Sequence, residues 1–370
     1  MRKIKIISAV LLIMVLVLTG CGNKKADSQE TSAKERDLKI VFVCNGTLGD
    51  KSFLDSAAEG IEKMNTELGV DTKIIEAGFD KTKWQPALED AADADYDIII
   101  VGTWEMQEPL EAVAPLYPDK KFIIFDTQMD YSSGDYENVY SISYKYNEES
   151  FLAGALAAMV TSSDMELANP EKSIGFIGGI DSPVINDYLV GYVEGAKYID
   201  PDIKVSYSYI GDFSNSTKGK EMAVAQFNSN VDIVFAAAGQ AGLGAIDAAK
   251  DESKYVIGVD GDQAMIFKDT DIEKANKILT SAVSNVGNSL FAAMEQELKG
   301  ELQWGSGVST GIADGTAELV DNEFYKELVP EEFRTKIVEL EKQIAEGEID
   351  VKSAIGMEAS ELEELLETVK

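Results

Sequence analysis

Residues 38–60 read LKIVFVCNGTLGDKSFLDSAAEG. Lys39–Cys44 is a short run dominated by β-branched and aromatic side chains, and it is continuously apolar rather than alternating. Such a run fits a strand covered on both faces, as in a parallel sheet. A polar loop follows, Asn45-Gly46-Thr47-Leu48-Gly49-Asp50. Ser52 then opens a helical pattern expected to reach Leu68, with the serine as its N-cap. Strand, glycine-bearing loop and helix in that order make half of a βαβ unit.

Working outward, the unit repeats. Further strands are expected at Thr72–Glu76, Asp97–Gly102 and Lys121–Asp126, with helical patterns near Thr82–Ala92 and Gln107–Leu116. The rhythm then restarts, with strands at Ser173–Ile177, Lys204–Ile210, Asp232–Ala237 and Tyr255–Val259. Helices of this second set are expected near Glu148–Val160, Val184–Tyr198, Ser216–Phe227 and Ala241–Lys250. Strand–helix alternation gives an α/β fold, and two sets give two doubly wound parallel-sheet domains with a hinge and a cleft between them. Ile278–Val283 and the helix after it are expected to cross back and complete the first domain, with Val308–Ile312 as a further strand. The expected boundaries are 38–145 plus 280–315 for the first domain, 146–279 for the second, and 316–370 for an acidic helical extension.

The amino terminus is of another kind. Arg2, Lys3 and Lys5 precede thirteen almost wholly apolar residues, Ile6–Leu18. That core suits a signal peptide and is short of the roughly 20 residues that span a bilayer. It ends in Leu18-Thr19-Gly20-Cys21, which resembles the lipobox of bacterial lipoproteins. The expectation is a signal peptide over 1–20, lipidation of Cys21, and a flexible polar tether over 21–37. Membrane attachment is then expected only through that lipid, on the extracytoplasmic face. Cys44 is the one other cysteine, so no internal disulfide is expected.

Composition narrows function. The net charge is −33, which argues against nucleic acid as a partner. There is no histidine, so the commonest general base and metal ligand is missing. Asp260-Gly261-Asp262-Gln263 alternates oxygens but lacks the later ligands of a calcium loop. Gly239-Gln240-Ala241-Gly242-Leu243-Gly244 lacks the Gly-Lys-Ser/Thr end of a phosphate loop. Neither metal nor cofactor is expected, and no enzymatic activity. In open α/β sheets ligands bind where strands end. Several strand-end loops here are polar, aromatic or glycine-rich, among them Gly102-Thr103-Trp104, Asp126-Thr127-Gln128, Ala238-Gly239-Gln240 and Asp260-Gly261.

Gly49-Asp50-Lys51-Ser52-Phe53 with Ala57-Ala58-Glu59-Gly60 resembles the first loop and helix of the basic membrane protein family. Gly175-Phe176-Ile177-Gly178-Gly179-Ile180-Asp181-Ser182-Pro183, Lys218-Gly219-Lys220, Ile257-Gly258-Val259-Asp260 and Ile278-Leu279-Thr280-Ser281 extend the resemblance in order along residues 38–315. The family comprises substrate-binding lipoproteins of ABC transporters, several of which bind purine nucleosides. The resemblance implies a type I periplasmic-binding-protein-like fold, a nucleoside-like small molecule in the cleft, and an ABC permease and ATPase as membrane partners. A monomer is the default. By the resemblance, Phe53 and Tyr188 stack on the base, Asp126 bonds its edge and Asp260 bonds ribose hydroxyls. Asn45, Asp50, Trp104 and Gly239 join these as expected cleft residues from their strand-end loops. Two positions depart from the family pattern. Cys44 stands where an aspartate is usual, and Ser284 where a lysine contacts ribose. The departures leave riboflavin, another stacked heterocycle or a sugar as alternative ligands. A ligand sensor, or a nucleoside-cleaving enzyme using Asp50, Asp126 and Asp260, are the other function classes.

Overall fold

A computed structural model describes residues 38–370; the leader, Cys21 and the tether lie outside the described residues. Twelve strands follow in order. The first five are β1 (Lys39–Cys44), β2 (Asp71–Glu76), β3 (Ile98–Gly102), β4 (Lys121–Phe125) and β5 (Val139–Tyr144). The next five are β6 (Ser173–Gly178), β7 (Lys204–Tyr209), β8 (Ile233–Ala237), β9 (Tyr255–Val259) and β10 (Ile278–Ser284). The last two are β11 (Ser306–Thr310) and β12 (Ala317–Leu319). They form two six-stranded sheets, ordered β11-β5-β4-β3-β1-β2 and β12-β10-β9-β8-β6-β7. Every pairing is parallel except β10 with β12. Helices cover both faces of each sheet, which is why β1, β3, β8 and β9 are buried throughout or nearly so. The two doubly wound α/β lobes expected from the sequence are present.

Each sheet reverses its winding direction once, beside β1 in the first and beside β6 in the second. At such a point the neighbouring loops diverge and leave a crevice at the strand ends. Asn45 follows β1, Trp104 follows β3 and Gly239 follows β8, so the loops at both reversals carry expected site residues.

The chain passes between lobes three times. Lys145 joins β5 to helix Tyr146–Thr161, Asn285 joins β10 to helix Val286–Lys299, and Gly311–Thr316 joins β11 to β12. The crossings are stitched together. The Lys145 amide donates to the Thr310 carbonyl at 2.9 Å, and the Asn285 amide to the Thr316 carbonyl at 2.7 Å. The Ile312 amide donates to Glu148 Oε2 at 2.8 Å. Three short, mutually bonded crossings suit a hinge, since few dihedrals must change to move one lobe on the other.

The sequence misplaced one element. Ile278–Ser284 pairs with β9 and β12 in the second sheet, so the return to the first lobe comes after this strand. The helix that follows packs on helix Phe53–Leu68, where a Cβ on Gly60 would stand 2.5 Å from Gly287 Cα. An all-buried strand such as ILTSAVS reads the same in either sheet, so its apolar pattern carries no address. The extension likewise begins inside the second sheet, as β12, before three helices pack outside it. β5 was not expected. Its sequence VYSISY interrupts the apolar pattern with serines, yet five of its six residues are buried.

Helices Tyr146–Thr161 and Pro183–Ile199 meet along a glycine seam. A Cβ on Gly195 would lie 1.8 Å from the Phe151 carbonyl oxygen, one on Gly191 2.1 Å from that of Asn147, and one on Gly154 2.0 Å from that of Tyr192. The backbones therefore touch, and their amino-terminal ends bring Tyr146 and Tyr188 face to face.

Candidate functional site

A cavity of about 110 Å³ lies between the lobes at the strand ends. One water needs about 10–15 Å³ of such space, so the cavity is several waters in size. Asn45, Asp50, Phe53, Trp104, Asp126, Tyr188, Gly239 and Asp260 all line it. Ser284 does not. It is fully buried one layer behind, where its hydroxyl donates to Glu149 Oε2 at 2.8 Å. Glu149 is itself fully buried, and burial holds its carboxyl well above the usual range.

Helix Phe53–Leu68 supplies the first wall. Asp50, rather than Ser52, caps it. Asp50 Oδ1 accepts from the Ser52 and Asp55 amides at 3.1 Å each, and Oδ2 from the Leu54 amide at 2.9 Å. Both carboxylate oxygens are thereby committed to the helix end. This frees the Ser52 hydroxyl, which crosses to the second lobe and donates to Asp260 Oδ2 at 2.6 Å. Gln263 Nε2 donates back to the Lys51 carbonyl at 3.2 Å. The two bonds hold the lobes closed over the cavity.

Asp126 and Asp260 stand one residue past β4 and β9, one from each lobe, with φ of 68° and 62°. This left-handed conformation is unfavourable for most residues and tolerated by aspartate and asparagine. The turn aims each carboxylate into the cavity instead of along the sheet. Tyr146 OH donates to Asp126 Oδ1 at 2.6 Å, and Tyr188 OH to Asp260 Oδ1 at 3.3 Å. Burial pushes the Asp126 carboxyl from 3.8 to about 8, the nearby Asp260 adds to the rise, and the Tyr146 hydroxyl opposes it. Burial likewise raises Asp260 to about 7, against the Ser52 and Tyr188 hydroxyls. Among the described residues no lysine or arginine lines the cavity.

The aromatic walls differ from the expectation in one respect. Phe53 is half-buried, its ring 5.5 Å from that of Phe125 at 31°. Tyr188 is 4% exposed; its ring stacks on Tyr146 at 4.5 Å and meets Phe235 edge-on at 6.0 Å. One of its faces is therefore covered by protein, while the residue still lines the cavity. Phe213, on the loop after β7, is half-buried and lines the cavity from the same lobe. Two glycines make room for it. A Cβ on Gly179 would lie 2.2 Å from its ring, and Gly239, at φ 51°, passes beside it at the start of helix Gly239–Asp251. Sequence reasoning missed Phe213, Tyr146 and Phe79. The pairing of Gly178-Gly179 after a strand with a lone aromatic in Gly211-Asp212-Phe213 was the available signal.

Asn45 lines the cavity and is 5% exposed, and its buried Oδ1 has no hydrogen-bond partner. Cys44 sits behind it as a buried thiol, pushed up to about 12 by burial. Among the described residues no group of carboxylates and cysteine is arranged to hold a metal, and no helix is long and apolar enough to cross a membrane.

The sequence model of one family, the PnrA-like ABC transporter substrate-binding proteins (Bmp), matches residues 37–354. The chain belongs to this family. Among curated relatives, the ABC transporter nucleoside-binding protein BmpA of Lactococcus lactis is 30% identical, over 95% of this chain and 99% of its own. Basic membrane protein A of Borreliella burgdorferi is also 30% identical, over 93% of this chain and 94% of its own. An ABC transporter solute-binding protein of Aeropyrum pernix has the same fold, with a TM-score of 0.77 at 23% identity over 90% of this chain and 99% of that one. Membership makes this chain the extracytoplasmic solute-binding component of an ABC transporter. It works with a small-molecule solute, a permease and an ATPase.

Proposed function

We propose that this chain captures a nucleoside-like solute, a flat heterocycle bearing hydroxyls, between its two lobes and presents it to the permease while tethered through lipid on Cys21. The observation that carries this reading is the lining of the cavity between the lobes. Phe53 from one lobe and Phe213 from the other line a slot whose buried polar groups include the acceptors Asn45, Asp126 and Asp260. Flat π systems gain from two aromatic faces. Asn45 and Asp126 take donors on the ring edge, and Asp260 takes hydroxyls. Acceptors of this kind discriminate strongly, because an analogue without the donor leaves a buried carboxylate unpaired. Tyr188 and Tyr146 act as a wedge that orients the two aspartates. The nucleoside-binding relative supports the same class of ligand. No bond of the solute needs to break; hinge closure is the working step.

The test is a thermal-shift screen of the stripped full-length chain with purine and pyrimidine nucleosides, riboflavin, free bases and sugars. A ligand that binds only the folded state raises the midpoint in step with its concentration over Kd. A shift with a nucleoside or riboflavin that Phe53→Ala abolishes supports the reading. A shift confined to ring-free sugars refutes it.

A further inference from the structure

The charge of the cavity is one-sided. Among the described residues its wall carries four carboxylates, Asp50, Glu105, Asp126 and Asp260, and neither lysine nor arginine. The ammonium groups nearest the cleft are turned elsewhere. Lys51 Nζ sits 5.2 Å from the centre of the Phe267 ring, Lys81 pairs with Glu105 at 2.5 Å, and Lys218 Nζ donates to the Ile210 carbonyl. Glu105 is thus compensated and Asp50 is committed to its helix end. Asp126 is left with the Tyr146 hydroxyl and the Trp104 amide, Asp260 with the Ser52 and Tyr188 hydroxyls, none of them a cation, and Glu149 lies one layer behind with Ser284.

A second, independent observation points the same way. Asn45 Oδ1, nine-tenths buried and lining the cavity, has no donor. The buried acceptors of the slot, Asn45 Oδ1 and the two carboxylates, therefore ask the ligand for a donor or a positive charge, while the Trp104 indole N–H and the Gln240 amide are side-chain donors in its wall. The walls of Phe53, Trp104 and Phe213 present π faces, which attract cations once water is excluded. Two buried carboxylates without a counter-charge are costly unless a proton or a cation joins them. With a neutral heterocycle the raised carboxyls meet that cost by holding protons; a cationic one meets it in the proton's place.

We propose that the solute of this chain is a flat heterocycle that carries a positive charge on its ring. It sits between Phe53 and Phe213, with its charge facing Asp126 and Asp260 and a ring donor on Asn45. This rests on the reading of the cleft as a solute site and narrows its ligand class. Phosphorylated and other anionic forms are excluded by the same carboxylates.

The test uses matched pairs that differ in charge: nicotinamide riboside against its neutral dihydro form, and 1-methyladenosine against adenosine, with adenosine monophosphate as the anion. Calorimetric titration of the stripped full-length chain at neutral pH reads each Kd. The cationic member of each pair is expected to bind at least tenfold tighter, and the anion not at all. In Asp126→Asn the ratio is expected to fall to threefold or less. Rising salt should weaken the cation more than the neutral partner in the unaltered chain, a readout independent of any variant. Equal or tighter binding of the neutral members overturns the charge preference and leaves the solute-binding reading in place. Binding of none of the heterocycles overturns both.

Discussion

Asp126→Asn separates the cost of the site from its use. The aspartate carboxyl is raised from 3.8 to about 8 by burial. A folded-state pKa above the unfolded one means the folded state holds the proton more tightly. The associated penalty is absent below the unfolded value, grows as pH rises from about 4 towards 8, and is constant above that. Linkage puts it at about 2 kcal/mol at pH 5 and about 5 kcal/mol at pH 8, with each pKa unit worth 1.36 kcal/mol. Asparagine does not titrate. It also keeps the φ of 68° and can still accept from Tyr146 OH. The ligand-free variant should therefore be more stable than the parent, by about 3–4 kcal/mol more at pH 8 than at pH 5. An unfolding entropy of roughly 0.7 kcal/mol per kelvin for about 330 residues converts this to a Tm gain about 5 °C larger at pH 8. Calorimetric melts of the stripped chain at both pH values check it. A variant destabilised at pH 8, or one with the same shift at both, would refute the claim that an uncompensated buried carboxylate faces the cavity.

Other outcomes follow from the same geometry. Phe213→Ala should weaken binding of the solute at least tenfold with little effect on the ligand-free melt, since the ring is half-buried on a loop; titration reads it, and unchanged Kd would remove Phe213 from the slot. Gly195→Ala should destabilise by about 3 kcal/mol or more, because its Cβ has only the Phe151 carbonyl to move against; a denaturant melt decides. Asp187 accepts from Ser353 Oγ and the Ala354 amide at 2.7 Å each, and from the Asn147 amide at 3.1 Å. Asp187→Ala should therefore release the segment after Val351 and cost about 3 kcal/mol; proteolysis that cuts the carboxy-terminal segment no faster than in the parent would count against that anchoring.

The strands of the lobes were legible because a doubly covered parallel strand is a solid apolar run with a turn behind it. Lys39–Cys44 and Tyr255–Val259 have the bounds read from sequence. Tertiary address was not legible. Ile278–Ser284 is apolar in either sheet, and only its pairing with β9 places it. In the site, strand-end aspartates such as Asp126 and Asp260 stood out, because a charge after an apolar strand needs a purpose. Tyr188 was harder. An aromatic on a helix has the same spacing whether it faces ligand or, as here, stacks on Tyr146. Phe213 lay in a loop with no periodicity to assign its direction. The role of Ser52 inverted for a similar reason. Its place marks a helix start, but Asp50 satisfies the helix amides and the serine hydroxyl reaches the other lobe.

The most direct test of solute capture by two aromatic walls is native mass spectrometry of the stripped full-length chain. It would be offered an equimolar mixture of nucleosides, charged and neutral, with riboflavin, pentoses and hexoses. One stoichiometric adduct with a flat heterocycle, lost in Phe53→Ala, is the predicted result. An adduct with a free sugar, or a heterocycle retained undiminished in Phe53→Ala, would contradict it.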